Sequence, residues 1–178
     1  MSGCGTAGIA VCGYPSLEEV ARAPGYPSRE RMEKGPVAII ECMQEIPCNP
    51  CEAACPKGAI RVGQPITNVP ALDGDKCAGC GLCLPKCPGL AIFLLDMTYS
   101  DSEAALSFPH EYLPLPEPGA SVTAVDRAGR PVCGARVLKV SNPARNDHTP
   151  VITIAIPRQM ADQVRGIARE SGGCAVGR

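Results

Sequence analysis

Cys77-Ala-Gly-Cys80-Gly-Leu-Cys83-Leu-Pro-Lys-Cys87-Pro88 is the stretch on which the fold of this 178-residue chain turns. Its four cysteines are spaced x2, x2 and x3 and closed by a proline, a spacing suited to thiolate ligation of a 4Fe–4S cluster. Three thiolates two residues apart wrap a tight loop around three irons of one cube. The x3 step and the proline turn the fourth outward, toward a second cluster. Gly79 and Gly81 let the backbone come close and aim N–H groups at sulfur. Pro88 fixes φ and removes a donor that would lack a strand partner. Zinc and free structural thiols are the alternatives that this spacing disfavours.

The same pattern stands 32 residues upstream as Cys48-Asn-Pro-Cys51-Glu-Ala-Ala-Cys55-Pro-Lys-Gly-Ala-Ile60. Three cysteines, a proline, an alanine and an isoleucine coincide with Cys80 to Ile92 at one offset, which marks a pseudo-twofold duplication. The first copy is less regular, because Glu45 occupies the place equivalent to Cys77. Cys42 lies three residues before it, and a bulge within Gln44–Pro47 lets its thiolate reach the same iron. The alternative is a buried thiol ending a Val37–Glu41 strand, which would leave a 3Fe–4S cluster or an unusual ligand. The apolar runs Val37–Ile40 and Ala91–Leu95 that flank the copies read as strands.

Residues 37–97 thus resemble a two-cluster bacterial-type ferredoxin, in which the fourth cysteine of each run serves the other cluster. The resemblance implies two 4Fe–4S clusters, one on Cys55, Cys77, Cys80 and Cys83 and the other on Cys42, Cys48, Cys51 and Cys87. It also implies a βαββαβ-like α+β module. The segment from Ile40 to Cys51 and the tail from Leu113-Pro-Leu-Pro116 onward are similar to ferredoxin-like subunits of FAD-dependent amino-acid or opine-type dehydrogenases. That similarity implies a non-catalytic electron-transfer subunit that accepts electrons from a flavoprotein working on an amino acid, amine or opine. The electrons would pass on to an external acceptor. A free-standing two-cluster ferredoxin and a structural metal-binding module are the other readings.

Composition agrees with a metal-organised middle. The chain has 12 cysteines but two Phe, four Tyr and no Trp, so a large aromatic core is excluded. With 17 basic against 18 acidic residues, a nucleic-acid partner is not indicated. The start, Met1 to Gly8, lacks a basic n-region and a long apolar run, and the longest apolar run, Leu90–Leu95, is too short for membrane insertion. Many cysteines without an export signal suit metal ligation in the cytoplasm. No phosphate-cradling loop or nucleophile elbow is present.

Three further segments flank the module. Residues 1–36 read as an arm, with Ser16-Leu-Glu-Glu19 forming a capping box for a short helix and a second helical turn over Ser28–Lys34. Residues 98–120, rich in proline, read as an extended connector. Residues 121–178 read as a small, mostly antiparallel β-domain with strands at Ser121–Val125, Val132–Val140 and Pro150–Ile156. A helix bearing Met160, Val164, Ile167 and Ala168 on one face would close it. His110 and His148 read as solvated loop residues, and the arginines from Arg127 to Arg145 as a solvated face, with contact to an acidic partner as the alternative. Cys4, Cys12, Cys133 and Cys174 lack metal spacing.

Overall fold

The computed structural model describes residues 8–169. Its centre is an antiparallel seven-stranded sheet in the order β1-β4-β5-β8-β7-β6-β9. The strands are β1 (Val37–Ile40), β4 (Ile92–Asp96), β5 (Glu103–Pro109), β6 (Ser121–Val125), β7 (Pro131–Ser141), β8 (Val151–Pro157) and β9 (Gly166–Ile167). A separate two-stranded ribbon pairs β2 (Ile60–Arg61) with β3 (Ala71–Leu72). The helices are short: α1 (Ile9–Cys12), α2 (Leu17–Arg22), α3 (Arg29–Met32) and α4 (Pro50–Ala53).

The two apolar runs that bracket the cysteine block pair with each other, Val37 opposite Leu95 and Ile40 opposite Ile92. Successive strand residues point to opposite faces, and here the alternation sorts two cores. Val37, Ile39, Phe93 and Leu95 face a large apolar core shared with Leu106, Phe108, Val137, Ile152 and Ile154. Ala38, Ile40 and Ile92 face a smaller core that contains Cys51, Cys83 and Leu84. Coverage on both sides accounts for the unbroken apolar run of β1, all four residues of which are buried.

The connector expected over 98–120 is replaced in part by β5. Glu103-Ala-Ala-Leu-Ser-Phe-Pro109 alternates, with Ala104, Leu106 and Phe108 buried, and the prolines that suggested a connector come at its end and after it. This strand pairs with β4 on one side and with β8 on the other, from Glu103 opposite Pro157 to Pro109 opposite Val151. The C-terminal strands therefore extend the sheet that begins at β1 and share its core, where a separate small β-domain was expected.

The closing helix is also absent among the described residues. A 3-10 turn at Arg158–Met160 is followed by β9, whose neighbours bond the edge of β6 through Arg165 N to Val125 O (2.8 Å) and Ala168 N to Thr123 O (2.7 Å). Gly166 disfavours a helix by about 1 kcal/mol, and strand pairing satisfies the same backbone groups. The helical spacing arose because Ala161 and Val164 are core residues in an irregular segment.

The N-terminal arm is sewn onto the sheet. Ser16 Oγ accepts from Glu19 N while the Glu19 carboxylate accepts from Ser16 N, and α2 stops before Pro24. Gly25 O accepts from Ile40 N at 3.0 Å, Pro24 O accepts from Leu72 N at 2.9 Å, and Tyr26 Oη donates to Asp162 at 2.9 Å. Helical structure after Ser28 covers Arg29–Met32 and ends before Lys34.

Candidate metal centre

Six of the eight cysteines of the duplicated block belong to the smaller core or pack against it. Cys51 lies in α4, Cys83 precedes a 3-10 turn at Leu84–Lys86, and both are buried. Cys42, Cys55, Cys77 and Cys87 pack against that core, and Cys80 is exposed. Proximity sorts them across the two runs. Cys55, Cys77, Cys80 and Cys83 line one cavity together with Ala38, Ile60 and Leu94. Burial, reinforced by Cys77, Cys80 and Cys55, pushes the Cys83 thiol up to about 12. On the other side, burial and the neighbouring Cys87 and Cys48 push the Cys42 thiol up, and the Cys51 thiol up to about 11. Each set thus joins three cysteines of one copy to one of the other.

The duplication is repeated in the hydrogen bonds. Ala59 N donates to Cys55 Sγ at 3.2 Å and Ala91 N to Cys87 Sγ at 3.4 Å, the same step of four residues in each copy. Ala38 N, from β1, lies 3.5 Å from Cys77 Sγ. Burial raises the Cys55 thiol, but the amides of Ala59, Lys57, Ile60 and Gly58 outweigh it and hold the group below its ordinary value. Desolvated thiolates that repel one another are a donor set suited to a cationic group, and the amides moderate its charge. Among the described residues no three Cys, His, Asp or Glu side chains converge on a single ion.

Both glycines of the second run have the left-handed conformation, Gly79 at φ 65° and Gly81 at φ 71°. They differ in surroundings. A Cβ on Gly79 would stand 2.6 Å from Pro36 O and 2.8 Å from Pro36 Cβ, whereas one on Gly81 would meet only Leu94 at 3.6 Å. Gly81→Ala is therefore expected to lose about 1 kcal/mol from backbone strain alone. Gly79→Ala must in addition push the Cys77–Cys80 loop off β1, and iron retained after gel filtration should fall far more in Gly79→Ala than in Gly81→Ala. Equal retention would contradict this account.

Several positioning residues were not legible in the sequence. Arg31, in the arm, donates to Gly74 O at 2.6 Å, Cys77 O at 2.8 Å, Gly35 O at 3.1 Å and Pro36 O at 3.2 Å. It ties the second cysteine loop to the start of β1. Glu41, the residue before Cys42, accepts from Arg127 Nε (2.7 Å) and Nη2 (2.6 Å) and from Arg165 Nε (2.5 Å), with all three side chains buried. Arg127 therefore belongs to the interior, where a solvated face was expected. Among the described residues Arg165 Nη2 has no acceptor, and its guanidinium lies 5.3 Å over the Phe93 ring.

His110 likewise departs from its expected solvated loop. It is buried between Phe108 and Tyr112, and burial holds its imidazole below the ordinary value. His148 is exposed. Cys133 packs beside the large core on β7 and Cys12 closes α1, while Cys4 and Cys174 lie outside the described residues.

No helix among the described residues is long and apolar enough to cross a membrane. No family model matches the chain, and no solved structure does. Over 49 residues, 28% of the chain, it is 45% identical to a subunit of the ion-translocating oxidoreductase complex of Methanosarcina acetivorans. Over 100 residues, 49% of the chain, it is 29% identical to protein Pixie of Drosophila melanogaster. The chain spans 17% and 15% of the lengths of these two proteins.

Proposed function

We propose that this chain is an iron–sulfur electron carrier with two 4Fe–4S clusters, one on Cys55, Cys77, Cys80 and Cys83 and one on Cys42, Cys48, Cys51 and Cys87. The observation that carries the reading is that Cys55 of the first copy lines one cavity with Cys77, Cys80 and Cys83 of the second, while Cys87 of the second adjoins Cys42 and Cys51 of the first. Similarity to a subunit of an ion-translocating oxidoreductase complex supports it. Bound, such clusters supply one-electron storage at two neighbouring points.

The residues of the chain have supporting tasks. Ile40, Ile60, Leu84 and Ile92 keep water from the inner side of both sets. The amides of Ala38, Ala59 and Ala91 donate to sulfur and stabilise negative charge there. Arg31 and β1 hold the loops in place. None of these groups is assigned substrate chemistry. Oxidation of an amino acid, amine or opine falls to an FAD-dependent dehydrogenase partner, as the similarity of Ile40–Cys51 and of the tail to such complexes implies. Hydride enters a flavin as an electron pair, and two neighbouring one-electron centres suit its division. The arm packs on the large core, and the C-terminal strands continue the sheet whose strands β1 and β4 bracket the cysteine loops, which favours a built-in docking scaffold over a free-standing ferredoxin.

Iron, acid-labile sulfide and zinc per chain after anaerobic purification test the reading. About eight irons and eight sulfides are expected. About four of each would remove one cluster from the proposal, and zinc without sulfide would overturn it.

A further inference from the structure

A groove runs between the Cys80–Pro85 loop and the C-terminal half of the sheet. Cys80 and Leu82 stand on one wall, and Lys139, Ser141, Arg145 and Thr153, from β7, β8 and the turn between them, stand on the other. Cys80 is the exposed cysteine of the eight, and beside it Leu82 is 40% exposed. Lys139 and Arg145 are both exposed. No carboxylate lines the groove, and neither cation takes part in an ion pair among the described residues. A chain close to neutral overall thus gathers two unpaired cations and an apolar tip around the most accessible thiol of the eight. The cations belong to β7 and to the turn after it, outside the duplicated block, so the C-terminal extension supplies charge where the cysteine loop comes to the surface.

We propose that this groove is the electron-exchange face of the protein and that its occupant is the acidic rim of a one-electron redox protein. The proposal rests on the iron–sulfur reading above. Exchange between two redox centres falls steeply with distance, which selects the face where a thiolate reaches solvent. Positive charge on that face steers an anionic surface to it and suppresses cationic ones. Leu82 provides the dry contact at the centre and Lys139 and Arg145 the charged rim. One electron passes between the centre behind Cys80 and the partner, one losing it as the other gains it, with no bond made or broken and no proton moved.

Small complex ions serve as probes of this face. The full-length, iron-loaded protein is reduced with dithionite and mixed at low ionic strength with ferricyanide, a one-electron oxidant of charge −3, or with hexaammineruthenium(III), of charge +3. The variant Lys139→Glu/Arg145→Glu is compared with Arg22→Glu/Lys34→Glu, which changes the net charge equally on the exposed arm. Oxidation by ferricyanide should slow about tenfold in the groove variant and much less in the arm variant. The ruthenium complex should react faster with the groove variant, and both differences should shrink at high salt.

A second readout needs no electron transfer. Hexacyanochromate(III), redox-inert and of the same shape and charge as ferricyanide, should broaden the amide resonances of Ser107, Asn146 and Thr153 in the unaltered protein and not in the groove variant. Equal slowing in the two variants, or broadening centred elsewhere, would overturn the proposal. Absence of iron and sulfide would instead overturn the cluster reading beneath it, and the two failures are told apart by the metal analysis.

Discussion

Replacing Cys77 and Cys87 together by alanine should strip the protein of both clusters, although the two residues belong to one continuous run. Each alone should leave about four irons, because each removes one ligand from a different set. Pairing Cys87→Ala with Cys48→Ala should also leave about four, because these two residues adjoin the same neighbours: the Cys42 and Cys51 thiols are each influenced by Cys48 and by Cys87. A protein whose runs each served their own cluster would give the opposite result. Loss of Cys77 and Cys87 would then spare one cluster, and loss of Cys48 and Cys87 would remove both. Each double variant lacks two thiols, so a general loss of stability affects both alike and does not imitate the pattern. Alanine is used because a serine oxygen can still ligate iron. The measurement is iron and sulfide per folded chain after anaerobic purification.

What the sequence made legible follows from the range of the interactions concerned. The cysteine spacing, the offset of the two copies and the capping box at Ser16 are local, and each names its own residues. The strands β1, β4, β6, β7 and β8 announce themselves through short stretches of apolar or β-branched residues. The errors lie where distant contacts decide. Residues 103–109 are apolar at alternate positions, but the prolines that follow hid a strand whose partners, β4 and β8, come from both sides of it. The segment after Pro157 has helical spacing because the core requires Ala161 and Val164, while the free edge of β6 captures its backbone. Arg31 gives no local sign at all, since its four carbonyl acceptors belong to Gly35, Pro36, Gly74 and Cys77. Glu41 was detectable only as an oddity, a charge between two isoleucines and a cysteine. That oddity is the clue that a counter-ion lies elsewhere in the chain.

Glu41→Ala should therefore be among the most damaging changes outside the cysteines. Side-chain exposure is 6% at Glu41, 8% at Arg127 and 3% at Arg165, so one carboxylate is the shared counter-ion of two guanidinium groups largely withheld from water. Its removal leaves buried positive charge without a partner, which destabilises a protein by about 3–5 kcal/mol. The loss should fall first on the neighbouring thiolate set. Glu41 N donates to Ala91 O at 2.8 Å, Ala91 N donates to Cys87 Sγ, and Cys42 is the next residue in the chain. The urea concentration that bleaches the iron-loaded protein should drop sharply, and about four irons should be released before the rest. The triple change Glu41→Leu/Arg127→Met/Arg165→Met separates charge from position. If the single variant fails because of uncompensated charge, the apolar triple should recover much of the stability, since a buried ion group replaced whole by packed apolar side chains is often neutral or better. If the triple bleaches as early as Glu41→Ala, the hydrogen bonds of the guanidinium groups to Asp162 O, Ala161 O and Val164 O hold this corner, and the charge pairing does not.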